Sequence, residues 1–180
     1  MSLVHLSNFS RVFIKQSHEL AELFGYETRN KYEIMDENKI IIGFAAEQSK
    51  GFFNFIIRQF LGHFRSFDVI FFTPERENYM VCHHPFRWYF ERIEVNEPSG
   101  QKIGAIEKRF SFFSKKFDVQ NERGQVIMQV SSPLWRIWSF KFIKRSVVVA
   151  QIQKKWSGFL TEVFTDKDMF AIEFQDKNMT

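Results

Sequence analysis

A three-residue pattern recurs along this chain and narrows what it can fold into. An aromatic residue or Ile is followed by an acid, then by Ile or Val. The four copies are Tyr32-Glu33-Ile34, Phe67-Asp68-Val69, Ile93-Glu94-Val95 and Phe117-Asp118-Val119. A polar turn follows each: Asp36-Glu37-Asn38, Thr73-Pro74-Glu75-Arg76, Glu97-Pro98-Ser99-Gly100 and Asn121-Glu122-Arg123-Gly124. An apolar run follows each turn. Side chains alternate along a strand, so the outer two members of a triplet face one way and the acid faces the other. The pattern predicts consecutive β-hairpins at a period of about 25–35 residues, with one core face and one wet face. Gly100 and Gly124 end their turns, where glycine takes a left-handed backbone without steric cost.

Phe140-Lys141-Phe142-Ile143-Lys144 opens a fifth hairpin. In its return strand, over 146–153, Val147, Val149 and Gln151 oppose Val148, Ala150 and Ile152. A long antiparallel meander either exposes its edges or closes on itself, and closure removes the edges. The expected class is therefore mainly β, a closed antiparallel barrel. Two segments do not read as strand. Leu20, Leu23 and Phe24 stand at helical spacing after Ser17, a possible N-cap, which predicts a helix over 16–24. The run 51–62 holds seven large apolar residues and only Arg58 as a charge. It reads as a three-turn helix across the sheet, with a membrane-touching hydrophobic loop as the alternative.

The chain has 180 residues, enough for one domain over 1–180 with a core that needs no staples. Aromatics reach 18%, with 24 Phe, which suits sheets and membrane-facing surfaces. Cys82 is the single cysteine, so no internal disulfide forms and a reducing compartment is expected. The first residues lack a basic start followed by an apolar run, the mark of a signal peptide. The longest uncharged stretch, Gly124–Trp135, has 12 residues, short of the roughly 20 a transmembrane helix needs. These features predict a cytoplasmic protein.

No nucleotide, hydrolase or metalloprotease motif is complete, so the expectation is a non-enzyme. Cys82-His83-His84 is the most tempting cluster. Neighbours on a strand point to opposite faces, so the three do not ligate one ion by themselves. Asp166-Lys167-Asp168 places acids at i and i+2, as calcium loops do, but a turn entering a strand over 170–174 is the simpler reading. Charge is uneven: residues 1–100 balance at −2 and residues 101–180 at +6. Between Leu134 and Lys155 stand Arg136, Lys141, Lys144, Arg145, Lys154 and Lys155, with no acid. Such a one-signed stretch favours anionic partners; a merely solvated face is the alternative. In Phe86-Arg87-Trp88-Tyr89-Phe90, Trp and Tyr beside Arg suit a membrane interface or a protein contact, and a strand buried on both faces is the alternative.

Five pieces of the chain, in order, carry a family resemblance. They are Phe24-Gly25-Tyr26-Glu27-Thr28-Arg29-Asn30-Lys31-Tyr32-Glu33-Ile34, Ala45-Ala46-Glu47-Gln48-Ser49, Ile93-Glu94-Val95 with Gly100 and Ile103-Gly104, Phe117-Asp118-Val119-Gln120-Asn121-Glu122, and Lys155-Trp156-Ser157-Gly158 with 162–170. Together, over about residues 11–174, they resemble the phospholipid scramblase family, whose domain belongs to the tubby-like superfamily. The resemblance implies a closed antiparallel barrel of about twelve strands around a central apolar C-terminal helix. This chain stops at Thr180, so that helix is expected to be missing from it.

The resemblance also implies a function: peripheral binding of anionic phospholipid membranes, and transbilayer phospholipid movement in the family. Arg136, Lys141, Lys144, Arg145, Lys154 and Lys155 are the expected headgroup contacts. Trp88, Tyr89 and Phe90 stand about where animal members carry an acylated cysteine cluster, and are the expected membrane contact. The family's calcium loop maps onto 166–177, which makes Asp166, Asp168 and Phe170 the candidate calcium residues. Ala171, Gln175 and Lys177 depart from the family pattern; calcium is the one candidate cofactor. The alternative is a regulatory module that binds phosphoinositide, protein or nucleic acid. No small-molecule substrate is expected.

Overall fold

The structure, a computed structural model, describes residues 9–17, 28–48, 66–85, 91–136, 138–155 and 169–175. They form twelve strands: β1 (Arg11–Gln16), β2 (Thr28–Met35), β3 (Ile41–Gln48), β4 (Phe67–Phe72), β5 (Asn78–His84), β6 (Arg92–Asn96), β7 (Lys102–Arg109), β8 (Ser114–Asn121), β9 (Val126–Pro133), β10 (Ser139–Lys144), β11 (Val147–Lys155) and β12 (Met169–Phe174). Each strand pairs antiparallel with the next in sequence, and β12 pairs back with β1 through Phe13↔Ala171 and its neighbours. The expected closed barrel is the one observed. Closure leaves no strand edge exposed.

All five hairpins read from the triplets and from Phe140–Lys144 are present, as β2–β3, β4–β5, β6–β7, β8–β9 and β10–β11. Four of their turns share one geometry. In each, the residue before the turn accepts an N–H from the residue three positions on, as in Lys39 N to Asp36 O at 3.1 Å and Gly124 N to Asn121 O at 3.0 Å. That donor residue has positive φ in all four: Lys39 66°, Arg76 69°, Gly100 88° and Gly124 78°. Two of the four accept the strain of a left-handed non-glycine residue. Asp36 compensates in its turn, since Oδ1 accepts the N–H groups of Asn38 and Ile40. A register shift accompanies every one of these five hairpins and adds the local twist that a closed barrel requires.

The strands separate apolar from charged side chains by parity. Val12, Ile34 and Ala45 are buried together, with Tyr32, Val69, Phe71, Ile172 and Phe174 packed on them. In a closed barrel this apolar side is the inner wall. The opposite parity carries charge, and each triplet acid there has a cationic partner or a histidine. Glu33 pairs with Lys15, Asp68 with His83, Glu94 with Arg92 and Asp118 with Arg109. The acids do face away from the core as the pattern predicts, but Asp68 is buried rather than wet. Among the described residues the outer parity also carries two apolar patches: Phe13, Met35 and Ala171, where the Lys39 ammonium lies over the Phe13 ring, and Phe44, Ala46, Ile70 and Phe72 on β3 and β4, in register with Lys31 and Glu33.

Two expectations need correction. The alternation over 146–153 fails at Val149 and Ala150, which are both buried. Phe142 pairs with Ala150 and Ile143 with Val148, so Val149 is the extra residue of a bulge. The helix expected over 16–24 cannot begin at Gln16, which ends β1 opposite Tyr32; 18–24 and the run 51–62 lie outside the described residues. Strand β1 carries no triplet and precedes the region that reads as hairpins.

Candidate functional site

An up-and-down barrel places successive connections at alternate rims. One rim carries 36–40, 73–77, 97–101, 122–125 and 145–146, all short. The strand ends flanking 17–27, 49–66, 85–91, 110–113, 134–138 and 156–168 meet at the other. We call these the turn rim and the loop rim.

The two rims differ in chemistry. On the turn rim, Asp36, Glu37, Glu75, Glu77, Glu97 and Glu122 are interleaved with Lys39, Arg76, Lys102, Arg123, Lys144 and Arg145. On the loop rim, the β7–β8 and β9–β10 connections and the residues flanking them are basic. Residues 108–117 and 131–141 contribute Lys108, Arg109, Lys115, Lys116, Arg136 and Lys141, with no acid. Lys108 is paired with Glu91 and Arg109 with Asp118. Lys116 and Arg136 are exposed and form no ion pair among the described residues. Unpaired basic groups that share one surface raise its positive potential.

The six basic residues named from sequence therefore do not form one site. Arg136 lies in the β9–β10 connection, and Lys154 and Lys155 end β11, all at the loop rim. The Lys154 ammonium sits 5.0 Å from the Trp138 ring. Lys141 projects from β10 on the charged parity, opposite Ser131 and Gln151. Lys144 and Arg145 stand at the β10–β11 turn, on the opposite rim. Six strand residues at about 3.3 Å each put them about 20 Å away. A run that is continuous in sequence folds back on itself, which parts its charges.

Trp88, Tyr89 and Phe90 lie outside the described residues, between β5 and β6, whose flanking ends are at the loop rim. Asp166 and Asp168 also lie outside them. Phe170 belongs to β12, between Ile14 and Lys154, and its ring packs 6.0 Å from Trp138. Its side chain serves aromatic packing and offers no oxygen to a cation. Among the described residues, no group of three or more His, Cys, Asp or Glu gathers for a metal.

Cys82-His83-His84 divides as strand geometry requires. His83 Nδ1 meets Asp68 Oδ1 on the charged face. His84 stacks on Phe67 at 4.8 Å. Burial pushes the Cys82 thiol up to about 11, so it is neither a thiolate nucleophile nor a ready metal ligand. Tyr79 is raised as well, by burial first and by Cys82 second.

Residues that sequence reasoning passed over complete the loop rim. The β7–β8 connection is the centre of Lys108-Arg109-Phe110-Ser111-Phe112-Phe113-Ser114-Lys115-Lys116. Phe110, Phe112 and Phe113 are 71%, 75% and 81% exposed. The serine hydroxyls of 111 and 114 bond each other at 3.0 Å. Across β8 and β9, Ser114 faces Pro133, so the neighbouring connection starts beside this one. There Leu134 and Trp135 are the middle of a turn closed by Arg136 N to Pro133 O at 3.0 Å. The buried Ser132 hydroxyl donates to the Arg136 carbonyl at 3.0 Å. Trp135 is 79% exposed at the tip. The signal for this loop was two dibasic pairs bracketing Phe-Ser-Phe-Phe.

Comparison with known proteins gives consistent relatives. A family profile described as Scramblase matches residues 1–180. Human phospholipid scramblase 2 is 30% identical over 96% of this chain and 62% of its own length. Human phospholipid scramblase 1 is 30% identical over 96% of this chain and 58% of its own. Human phospholipid scramblase family member 5 is 30% identical over 94% of this chain and 67% of its own. The chain thus spans less than two thirds of the first two. An X-ray structure of an Arabidopsis thaliana protein shares the fold at a TM-score of 0.52 and 11% identity, over 97% of this chain and 88% of that one.

Proposed function

The chain belongs to the scramblase family, and from that premise we propose that it is a peripheral, non-enzymatic phospholipid-binding protein whose loop rim meets anionic membranes. The observation that carries this reading is the pair of acid-free basic connections, β7–β8 and β9–β10, beside a balanced turn rim. Each basic group near an anionic leaflet contributes about 1 kcal/mol. Arg136, Lys116, Lys154 and Lys155 are the headgroup contacts in this account, and Lys144 and Arg145 are not part of the surface.

Two further observations support a peripheral contact. No helix among the described residues is long and apolar enough to cross a membrane. The outer wall carries ion pairs on several strands, Arg11–Glu173 and Lys15–Glu33 across β12, β1 and β2, and Arg92–Glu107 across β6 and β7. A barrel that spans lipid has an outward apolar band instead. Transbilayer phospholipid movement is the family activity we extend to the protein containing this chain; lipid movement down a gradient needs no nucleophile or general base. A cytoplasmic location facing the anionic leaflet fits the same reading.

Co-sedimentation with phosphatidylcholine vesicles and with equimolar phosphatidylcholine–phosphatidylserine vesicles tests it. Binding to the anionic vesicles alone, weakening as salt shortens the screening length from about 10 Å at 0.1 M, is the expected result. Equal binding to both, or to neither, contradicts it. The same assay with calcium and with chelator tests the 166–168 loop: stimulation supports calcium there, and unchanged binding removes calcium from the account. Salt-sensitive capture of single-stranded nucleic acid without vesicle binding would favour the regulatory-module alternative.

A further inference from the structure

We propose that the β7–β8 and β9–β10 connections act together as one aromatic wedge that inserts into the interfacial layer of an anionic bilayer. This rests on the membrane reading above and assigns its anchoring residues. The geometry inverts the usual burial rule. In residues 110–114 the serines turn inward and bond each other, while the three phenylalanine rings face solvent. Phe110 and Phe112 meet edge to face at 4.8 Å, and Phe112 and Phe113 lie 6.5 Å apart, so the rings form one contiguous apolar patch. The adjacent turn adds Leu134 and Trp135, held at its tip by the Ser132 hydroxyl on the Arg136 carbonyl. A contiguous exposed aromatic patch on a folded protein marks an interaction site.

Charge selects the occupant. Lys116 and Arg136 flank the patch without ion pairs among the described residues, and no acid stands in either segment. A second copy docking through the same surface would bring these like charges together. An anionic bilayer meets both demands at once, with acyl and glycerol regions for the rings and headgroups for the cations. Trp is the residue type that favours this boundary. Phe110, Phe112, Phe113 and Trp135 are each more than two-thirds exposed in their connections, which suits insertion into a deformable surface. All five exposed aromatic residues among the described ones lie on this rim: Phe110, Phe112, Phe113, Trp135 and Trp138. The exposed apolar residues of the turn rim are aliphatic, such as Ile40 and Val147.

The test uses the full chain, flotation with equimolar phosphatidylcholine–phosphatidylserine vesicles, and three variants. Phe112→Ser/Phe113→Ser/Trp135→Ser is expected to lose at least about tenfold in vesicle affinity, and Phe113→Ser alone about threefold. Ile40→Ser/Val147→Ser, which removes exposed apolar groups from the other rim, is expected to bind as the parent does. Far-UV circular dichroism and thermal melting check that each variant is folded; the single Phe113→Ser variant stands in if the triple is not. In the parent, brominated phosphatidylcholine should quench more tryptophan emission than in Trp135→Phe. If the parent binds and the triple and single variants bind equally well, the wedge is wrong and the anionic-lipid reading stands. If the turn-rim variant loses as much as the triple, the rim assignment is wrong. If the parent binds no vesicle, the membrane reading fails and the wedge with it.

Discussion

Arg92 gives the most quantitative test of how the barrel wall holds together. Its guanidinium lies on the charged face of β6 and is only 14% exposed. Nε donates to Glu94 at 3.2 Å, and one terminal nitrogen donates to Glu107 at 3.0 Å and to the Gln120 side-chain Oε1 at 3.2 Å. Gln120 in turn donates its amide to Glu107 at 3.0 Å. One cation thus ties β6, β7 and β8 together and separates two carboxylates. Arg92→Met keeps the stem and removes every donor. A hydrogen bond to a charged group contributes about 1.5–3 kcal/mol, but both glutamates are about one third exposed and water replaces part of the loss. The net expectation is about 2 kcal/mol. For a chain of this size that lowers Tm by about 4–8 °C, read by far-UV circular dichroism. Adding Glu107→Gln to Arg92→Met removes one of the stranded charges and should restore part of the loss. A Tm within about 1 °C of the parent for Arg92→Met, or no recovery in the double variant, would refute the reasoning.

Other expectations follow from the same structure. A Cβ on Gly104 would stand 2.3 Å from the Gln120 carbonyl oxygen, a backbone atom that cannot step aside, so Gly104→Ala should cost about 3 kcal/mol or more in a urea melt. Gly124 has φ of 78° and open space around it, so Gly124→Ala should cost only the left-handed backbone penalty, about 1 kcal/mol. The Cys82 thiol titrates near 9.0 when unfolded and at about 11 in the barrel. The folded state therefore holds its proton more tightly: stability is unaffected below pH 9 and falls as pH rises from 9 to about 11. Iodoacetamide should accordingly label Cys82 at pH 8 far more slowly than it labels the urea-unfolded chain.

The hairpins were legible because their chemistry is local. An acid between two large apolar residues, then a turn, states both the strand parity and where it reverses. Tyr32-Glu33-Ile34 and its three counterparts delivered eight strands, and Phe140–Lys144 two more. Positive φ was legible at Gly100 and Gly124 but not at Lys39 or Arg76, where the turn geometry is imposed by the hairpin around it. Val149 escaped because a bulge breaks alternation without leaving a compositional mark. Strand β1 escaped because Arg11–Gln16 is stabilised by closure against β12, a partner more than 150 residues away.

The candidate site was legible in sign and not in place. The basic excess after residue 134 is plain in the sequence. That Lys144 and Arg145 end up on the rim opposite Arg136 depends on where β10 reverses. The Phe-Ser-Phe-Phe loop was hidden by its surroundings: in a chain with 24 Phe, one more aromatic run reads as strand core. Only the structure separates the phenylalanines that line the wall from those that stand in solvent.

The central claim is that the loop rim, and not the turn rim, meets the membrane. Charge reversal tests it most directly. Lys116→Glu/Arg136→Glu and Lys144→Glu/Arg145→Glu carry the same change in net charge on opposite rims. With equimolar phosphatidylcholine–phosphatidylserine vesicles, the account predicts that the first pair loses binding and the second keeps it. Equal loss in both, or loss only in the second, would contradict it.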